Sequence, residues 1–478
     1  MNHALGFSIV RMSLTAKPTF FSRTTDPRLT KSPLTTFMST IRQLAVHPTG
    51  CNIAQNQLCL SATHGGYGIM DLPTVAPAAY LASILTAKRV IRSLLNNSNE
   101  EIKNADGDSG TFKQIEYSLK ELSVPPLANL TPTRFFNASY QSVGMQRDLS
   151  LHLSIAAQKK YEAIVRQQTP SQKALHAGAA APCAPIPITT CEFNGICALT
   201  NAQFHTYNMI RTGTTPFPQM HTCPLCNMDM GENNINHWLS CNSSKSGRSL
   251  VHHDIKRVLF QAARKANQGR TVNEPPHLLS DANTGSKLRP DFAIYGGIGD
   301  TLCGQAFDFS VVIPTAVSIV KATKSSIDQP KGTRGLMPPL QSIKVAEKRK
   351  NEHYRKAAKQ IKFSFVPLIM EATGGMSETL RKFLRYWTME HTTFGTSYST
   401  RTLAKEVSYT LIRGQAKMFD RWIAAINAVN AARVQRGSFA QGGVRPLWHT
   451  SQQQQQTAFS CSLSQQQYQQ APQVFSLA

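Results

Sequence analysis

Between residues 223 and 241 the chain carries Cys223-Pro-Leu-Cys226 and then His237-Trp-Leu-Ser-Cys241, four soft ligands in a stretch too short to bury a core of its own. Zinc takes nitrogen and sulfur ligands in a tetrahedron. Cys-x2-Cys offers two thiolates from one tight turn, and His237 and Cys241, four apart, fall on one helical face. The spacing therefore predicts a closed zinc site at Cys223, Cys226, His237 and Cys241, with no position left for a reactive water. Such a site is structural and contributes folding energy. The alternative is a chance cluster of ordinary buried side chains. His221, His252 and His253 stay outside the shell as surface or core histidines. Ten cysteines in 478 residues fit reduced thiols plus this one metal site, not a disulfide scaffold.

A formal net charge of +24, from 51 Lys+Arg against 27 Asp+Glu, favours a polyanionic partner. Nucleic acid comes first and an anionic membrane surface second. No apolar run approaches the roughly 20 residues that span a bilayer, and the N-terminus lacks a signal-peptide core. A soluble, intracellular protein of two to four domains is expected.

The pattern along the chain predicts an α/β (α+β mixed) protein. Residues 1–110 read as a helical region in which a strand-like run at Gln57 meets the turn Gly65-Gly66-Tyr-Gly68. A helix follows from Ala78 to Leu95, with a basic outer face at Lys88, Arg89 and Arg92. Residues 111–166 read as a helical connector, preceded by a polar linker at 96–108. The Ala/Pro-rich tract within 167–200 reads as a second linker. The zinc module occupies 201–248. From 249 to 395 the order is α-β-β-α-β-α, a mixed sheet with covering helices. Its strands are Asp291 to Tyr295, Gln305 to Ile313 and Phe363 to Glu371, and the turn Gly296-Gly297-Ile-Gly299 separates the first two. A basic stretch from Lys321 to Pro339 precedes a helix from Ser342 to Lys362. A helical region at 396–436, interrupted at Gly414, leads to a Gln/Ser-rich tail at 437–478, where disorder is expected.

Two aspartates stand inside the strand-like segments, in Pro290-Asp291-Phe-Ala-Ile and Ala306-Phe307-Asp308-Phe309. Phosphodiester hydrolysis needs carboxylates that hold divalent ions, and pairing of these strands brings Asp291 and Asp308 to one sheet edge. An Asp after Pro is also an ordinary turn residue. An acid interrupting a buried apolar run, however, requires a partner or a metal. On the following helix Ile343, Lys350, Tyr354 and Ile361 share a face. Lys350 is placed to orient water or stabilise phosphorane charge, and Tyr354 to hydrogen-bond a phosphate oxygen. The bland reading of Lys350 is a snorkelling cation in a basic stripe. From Lys321 to Lys362 there are twelve Lys/Arg and three Asp/Glu, a density that fits phosphate contacts. Glu371 is a weaker third acid.

At these residues the chain resembles the C-terminal half of non-long-terminal-repeat retrotransposon polyproteins of the R2-like class. In that family a Cys-Cys-His-Cys zinc knuckle precedes a restriction-enzyme-like endonuclease. The resemblance runs from about His221 to Trp387, through the knuckle, the helix start Val251-His252-His253-Asp254, the Pro-Asp strand, the second Asp strand and Lys350-x-x-x-Tyr354. It implies a restriction-endonuclease-like (PD-(D/E)xK) core and a Mg²⁺-dependent DNA endonuclease that nicks target DNA. The implied catalytic residues are Asp291, Asp308, Lys350 and Tyr354, with Asp291 and Asp308 on Mg²⁺. It departs from the family at His353, where many members have a second lysine, and in a longer loop between Cys226 and His237.

Gly65-Gly66-Tyr-Gly68-Ile and Ala79-Tyr80-Leu-Ala-Ser83 resemble the reverse transcriptase thumb of the same elements. No Asp-Asp dipeptide of a polymerase palm occurs, so an element product without polymerase activity is expected. DNA and element RNA are the implied partners and the nucleus the implied location. The rivals are a catalytically inactive zinc-containing nucleic-acid-binding remnant and a junction-resolving nuclease with the same core.

Overall fold

A computed structural model of the chain describes residues 3–49, 55–94, 110–122, 131–137, 145–190, 198–214, 222–230, 236–266, 270–276, 278–280, 287–296, 304–327, 336–389 and 399–435. The turn expected at 297–299, the linker expected at 96–108 and the Gln/Ser-rich tail lie outside these. Among the described residues the architecture is mixed α/β, predominantly helical with a small open four-stranded sheet and a separate two-stranded one. Residues 1–422 cluster as one unit and residues 423–478 as another.

The strands are β1 (Thr271–Asn273), β2 (Leu279–Ser280), β3 (Lys287–Leu288), β4 (Phe292–Tyr295), β5 (Gly304–Val312) and β6 (Phe363–Glu371). β2 and β3 pair with each other, and the remaining four form a sheet in the order β1-β4-β5-β6. The β1–β4 and β4–β5 pairs are antiparallel, and β5–β6 is parallel. A parallel pair needs a long crossover, which the helices Val317–Ile327 and Gln341–Gln360 supply.

Side chains alternate across β5. Phe307 stacks on Phe292 at 4.9 Å and meets Phe383 of the Glu378–Met389 helix at 5.3 Å. On the opposite face Ala306 packs with Ala357 and Ala358 of the Gln341–Gln360 helix. β1 escapes sequence reading because it has only three residues, of which one is buried. The Val317–Ile327 helix is hidden in composition by its lysines, although Ile319 and Thr323 are buried. Ile361 is not on the inward face: it lies just past the helix end and is exposed.

The N-terminal region is helical, as expected, and shares a core with later segments. Phe7, Ile41 and Tyr67 pack with Phe204, Met209 and Tyr409 in one apolar cluster. The strand-like run at Gln57 is instead a short helix, Gln55–Cys59, closed by the glycine turn. Gly66 is required there because a Cβ would sit 2.0 Å from the Leu60 carbonyl oxygen. The helix reading holds at Leu72–Leu94, but Lys88 is buried and not on an outer face.

The Ala/Pro-rich tract expected to be a linker is packed structure. Thr169 and Gln172 form a capping box at the start of the helix Pro170–Ala179, and Ala174, Leu175, Ala177 and Ala179 are buried. Small side chains let this segment approach its neighbours closely. Arg211, 1% exposed, donates to the carbonyls of Ala179 (3.1 Å), Ala62 (3.2 Å) and Gly66 (2.8 Å), joining the tract to the glycine turn. The last helix, Thr400–Gln435, runs unbroken through Gly414.

Candidate functional site

The predicted ligands meet in space. One ligand atom each from Cys223, Cys226, His237 and Cys241 lies within 4.8 Å of the others, so the four side chains can hold a metal ion. Cys223 Sγ and Cys241 Sγ are 3.8 Å apart, too far for a disulfide. That separation matches the roughly 3.8 Å edge of a tetrahedron with Zn–S near 2.3 Å. Cys226 Sγ lies 3.1 Å from His237 Nε2. Local backbone explains the first pair: Asn227 takes the left-handed conformation (φ 57°), its N–H donates to the Cys223 carbonyl, and the Cys223 N–H donates to the Met228 carbonyl, both at 2.9 Å. Asn tolerates that conformation better than most residues. The second pair brackets the short helix His237–Ser240, whose Trp238 is buried against Phe419 at 5.4 Å. The donor chemistry and the spacing fit zinc in a closed site.

The two aspartates also converge. The β4–β5 register pairs Phe292 with Phe307, so the next step along the ladder sets Asp291 across from Asp308. Both are buried. Asp291 precedes β4, and its carboxylate takes the place of a strand partner: Oδ2 accepts the Phe309 N–H at 2.6 Å and Oδ1 lies 3.0 Å from His252 Nε2. Asp308 is ion-paired to Lys350, which projects from the Gln341–Gln360 helix. Tyr354, one turn on, stacks on Phe365 at 4.7 Å, and Lys350 Nζ lies 6.0 Å from its ring centre.

The surroundings push these groups in different directions. Burial is the largest influence on Asp291 and raises it, but the His252 hydrogen bond and charge and the Phe309 N–H outweigh it and leave the carboxyl below its ordinary range. Burial also dominates at Asp308. There the Asp291 charge adds to it, Lys350 only partly offsets them, and the carboxyl is held above its ordinary range. Burial and then the charges of Asp308 and Asp291 push the Tyr354 hydroxyl up to about 12, so it remains a hydrogen-bond donor at neutral pH.

Two cavities are lined by residues of the metal-ligand segment together with residues of β5. One, of about 430 Å³, is lined by Cys241, Asn242, Arg248, His252 and Ser310. The other, of about 510 Å³, is lined by Cys226, His237, Ser310, Arg349 and Lys350. Knuckle residues and the side chains that contact the two acids, His252 in one case and Lys350 in the other, therefore line the same cavities.

Glu371 does not join the site. It pairs in register with Val312, while Asp308 pairs with Pro367, four residues and roughly 13 Å away at about 3.3 Å per residue. Its carboxyl is 1% exposed and accepts hydrogen bonds from the Ser342 and Thr373 hydroxyls.

Sequence reasoning missed His252, Lys256 and Glu274. His252 is no zinc ligand, yet it contacts Asp291. The available signal was Lys256, a cation among Val251, Ile255 and Leu259 on the buried face of the helix Arg248–Ala266. No protein-family profile and no curated protein matches the chain.

Proposed function

We propose that the chain is a Mg²⁺-dependent endonuclease that nicks DNA, with a restriction-endonuclease-like core at residues 249–395 and a structural zinc knuckle beside it. The observation that carries this reading is the meeting of two buried acids, Asp291 and Asp308, with the Lys350 ammonium on one of them. Burying two carboxylates together is unfavourable without a cation, and oxygen donors of this kind suit Mg²⁺. Asp291 and Asp308 would hold the ion. When bound, Mg²⁺ supplies an activated water and charge neutralisation at the phosphate. Lys350 faces the charge that develops on the cleaved phosphate, and Tyr354 donates a hydrogen bond to a phosphate oxygen or the leaving group.

The antiparallel, antiparallel, parallel sheet and the crossover helix carrying Lys350 support the restriction-type core. The net charge of +24 supports a nucleic-acid substrate. The ordered motifs shared with R2-like retrotransposon proteins support target-site nicking in the nucleus, with element RNA as a second partner and no polymerase activity in this chain.

One observation favours a second reading, a non-catalytic nucleic-acid-binding remnant. Lys350 and His252 already contact the two acids, so the cluster also satisfies the needs of a structural ion-pair network. The full chain incubated with supercoiled plasmid and Mg²⁺ or Mn²⁺ separates them. The nuclease reading expects nicked circles, lost on Asp291→Ala and on Asp308→Ala by about 10²-fold or more, the scale for removing a group that stabilises developing charge. Intact plasmid with wild type, unchanged by Asp308→Ala, selects the remnant.

A further inference from the structure

We infer that Glu274 is a positioning residue for Asp291, an inference that rests on the metal-dependent reading above. Glu274 follows β1 and stands at φ 44°, a left-handed conformation rare for a side chain of this kind. Its N–H donates to the Asp291 carbonyl oxygen at 2.9 Å, so the backbone at Glu274 sets the backbone of Asp291 just ahead of β4. Such a conformation persists only where the surroundings over-determine it. Here Lys256 is ion-paired to Oε1 of Glu274 and Arg289 to Oε2.

The origin of these contacts gives them one purpose. Lys256 is buried, with its side chain 8% exposed, and projects from the Arg248–Ala266 helix one turn after His252. Residues four apart share a helix face. That face grips Asp291 twice, directly through His252 and indirectly through Lys256 and Glu274. The Phe309 N–H holds the remaining carboxylate oxygen. The Asp291 side chain, its main chain and the adjoining strand end are therefore fixed together before any cation arrives, the preorganisation that a metal site requires. A plain turn would be served by glycine, which adopts positive φ without strain. An acid at this position is explained by the two cations it collects.

The test is Mn²⁺ titrated into the zinc-loaded full chain and followed by electron paramagnetic resonance, with Asp308→Ala giving the background. Glu274→Ala is expected to weaken Mn²⁺ binding by about tenfold or more, the scale for groups that orient metal ligands. Glu274→Gln, which keeps an acceptor for Lys256 and Arg289, restores most of it, and plasmid nicking follows the same order. Binding by Glu274→Ala equal to wild type, with Asp308→Ala blank, overturns the positioning role and leaves the metal site standing. Wild type indistinguishable from Asp308→Ala overturns both. Should Glu274→Ala not fold, Arg289→Ala decides, since Arg289 is 59% exposed and its loss leaves the core intact. Weakened Mn²⁺ binding then supports the role, and unchanged binding overturns it.

Discussion

At Glu371 a single carboxyl carries a pH dependence that can be read directly. Burial is the main cause that pushes it up to about 7, against the opposing hydroxyls of Ser342 and Thr373. A folded value raised above the unfolded one means that the group's contribution to stability is complete below the unfolded value and is lost as pH rises through the folded value. Between roughly 4.5 and 7 that loss amounts to about 3 kcal/mol. Chemical denaturation at pH 5 and pH 8 is expected to show a drop of this order in wild type and a flatter profile in Glu371→Gln; equal profiles would remove the buried carboxyl from the account. Residues of this kind also mark how far sequence reading reaches. The knuckle ligands were legible because their spacing lies within the chain itself, and Asp308 because an acid broke an apolar run. His252 and Glu274 were not, because their partner Asp291 is supplied by the fold. Glu371 has the sequence setting of a site acid, and only the β5–β6 register moves it away.

Among the elements, three of the sheet's four strands and the helices Arg248–Ala266 and Gln341–Gln360 followed from period and composition, whereas β1 and the Ala/Pro-rich tract did not. Alanines have too little side chain to show an apolar stripe, and their burial becomes evident only once Arg211 and its neighbours close around them. Gly414 misleads in the same way. It looks like a helix break, yet the Thr400–Gln435 helix continues through it because the missing side chain makes room for Val251. A Cβ at Gly414 would meet Val251 Cγ2 at 2.9 Å. Gly414→Ala is expected to destabilise by about 1 kcal/mol, overpacking outweighing the gain in helix propensity. Adding Val251→Ala should cost less in that background than in wild type, a favourable coupling of at least about 0.5 kcal/mol. Strict additivity in the double-mutant cycle would show that the two helices do not meet through these atoms.

For the whole molecule, the metal-ligand cluster has influence beyond its own loop. Trp238 sits between ligands His237 and Cys241 and packs on Phe419 of the last helix, so chelation is expected to release that ring as well as the four ligand side chains. One zinc per chain by atomic absorption, a red shift of tryptophan emission on adding a strong chelator and a lowered thermal midpoint would check this. An unchanged midpoint after complete zinc removal would make the cluster an ornament on a self-sufficient fold. No helix among the described residues is long and apolar enough to cross a membrane. The guanidinium of Arg211, by contrast, binds together segments almost 150 positions apart in sequence, from Ala62 to itself. Cutting the gene just upstream of the knuckle to express the acidic centre alone would therefore discard both the arginine and the carbonyls it serves. The second half also leans on the first directly, since the Tyr409 hydroxyl and the Met376 N–H donate to the carbonyls of Thr190 and Pro182, and an excised fragment would lose both bonds.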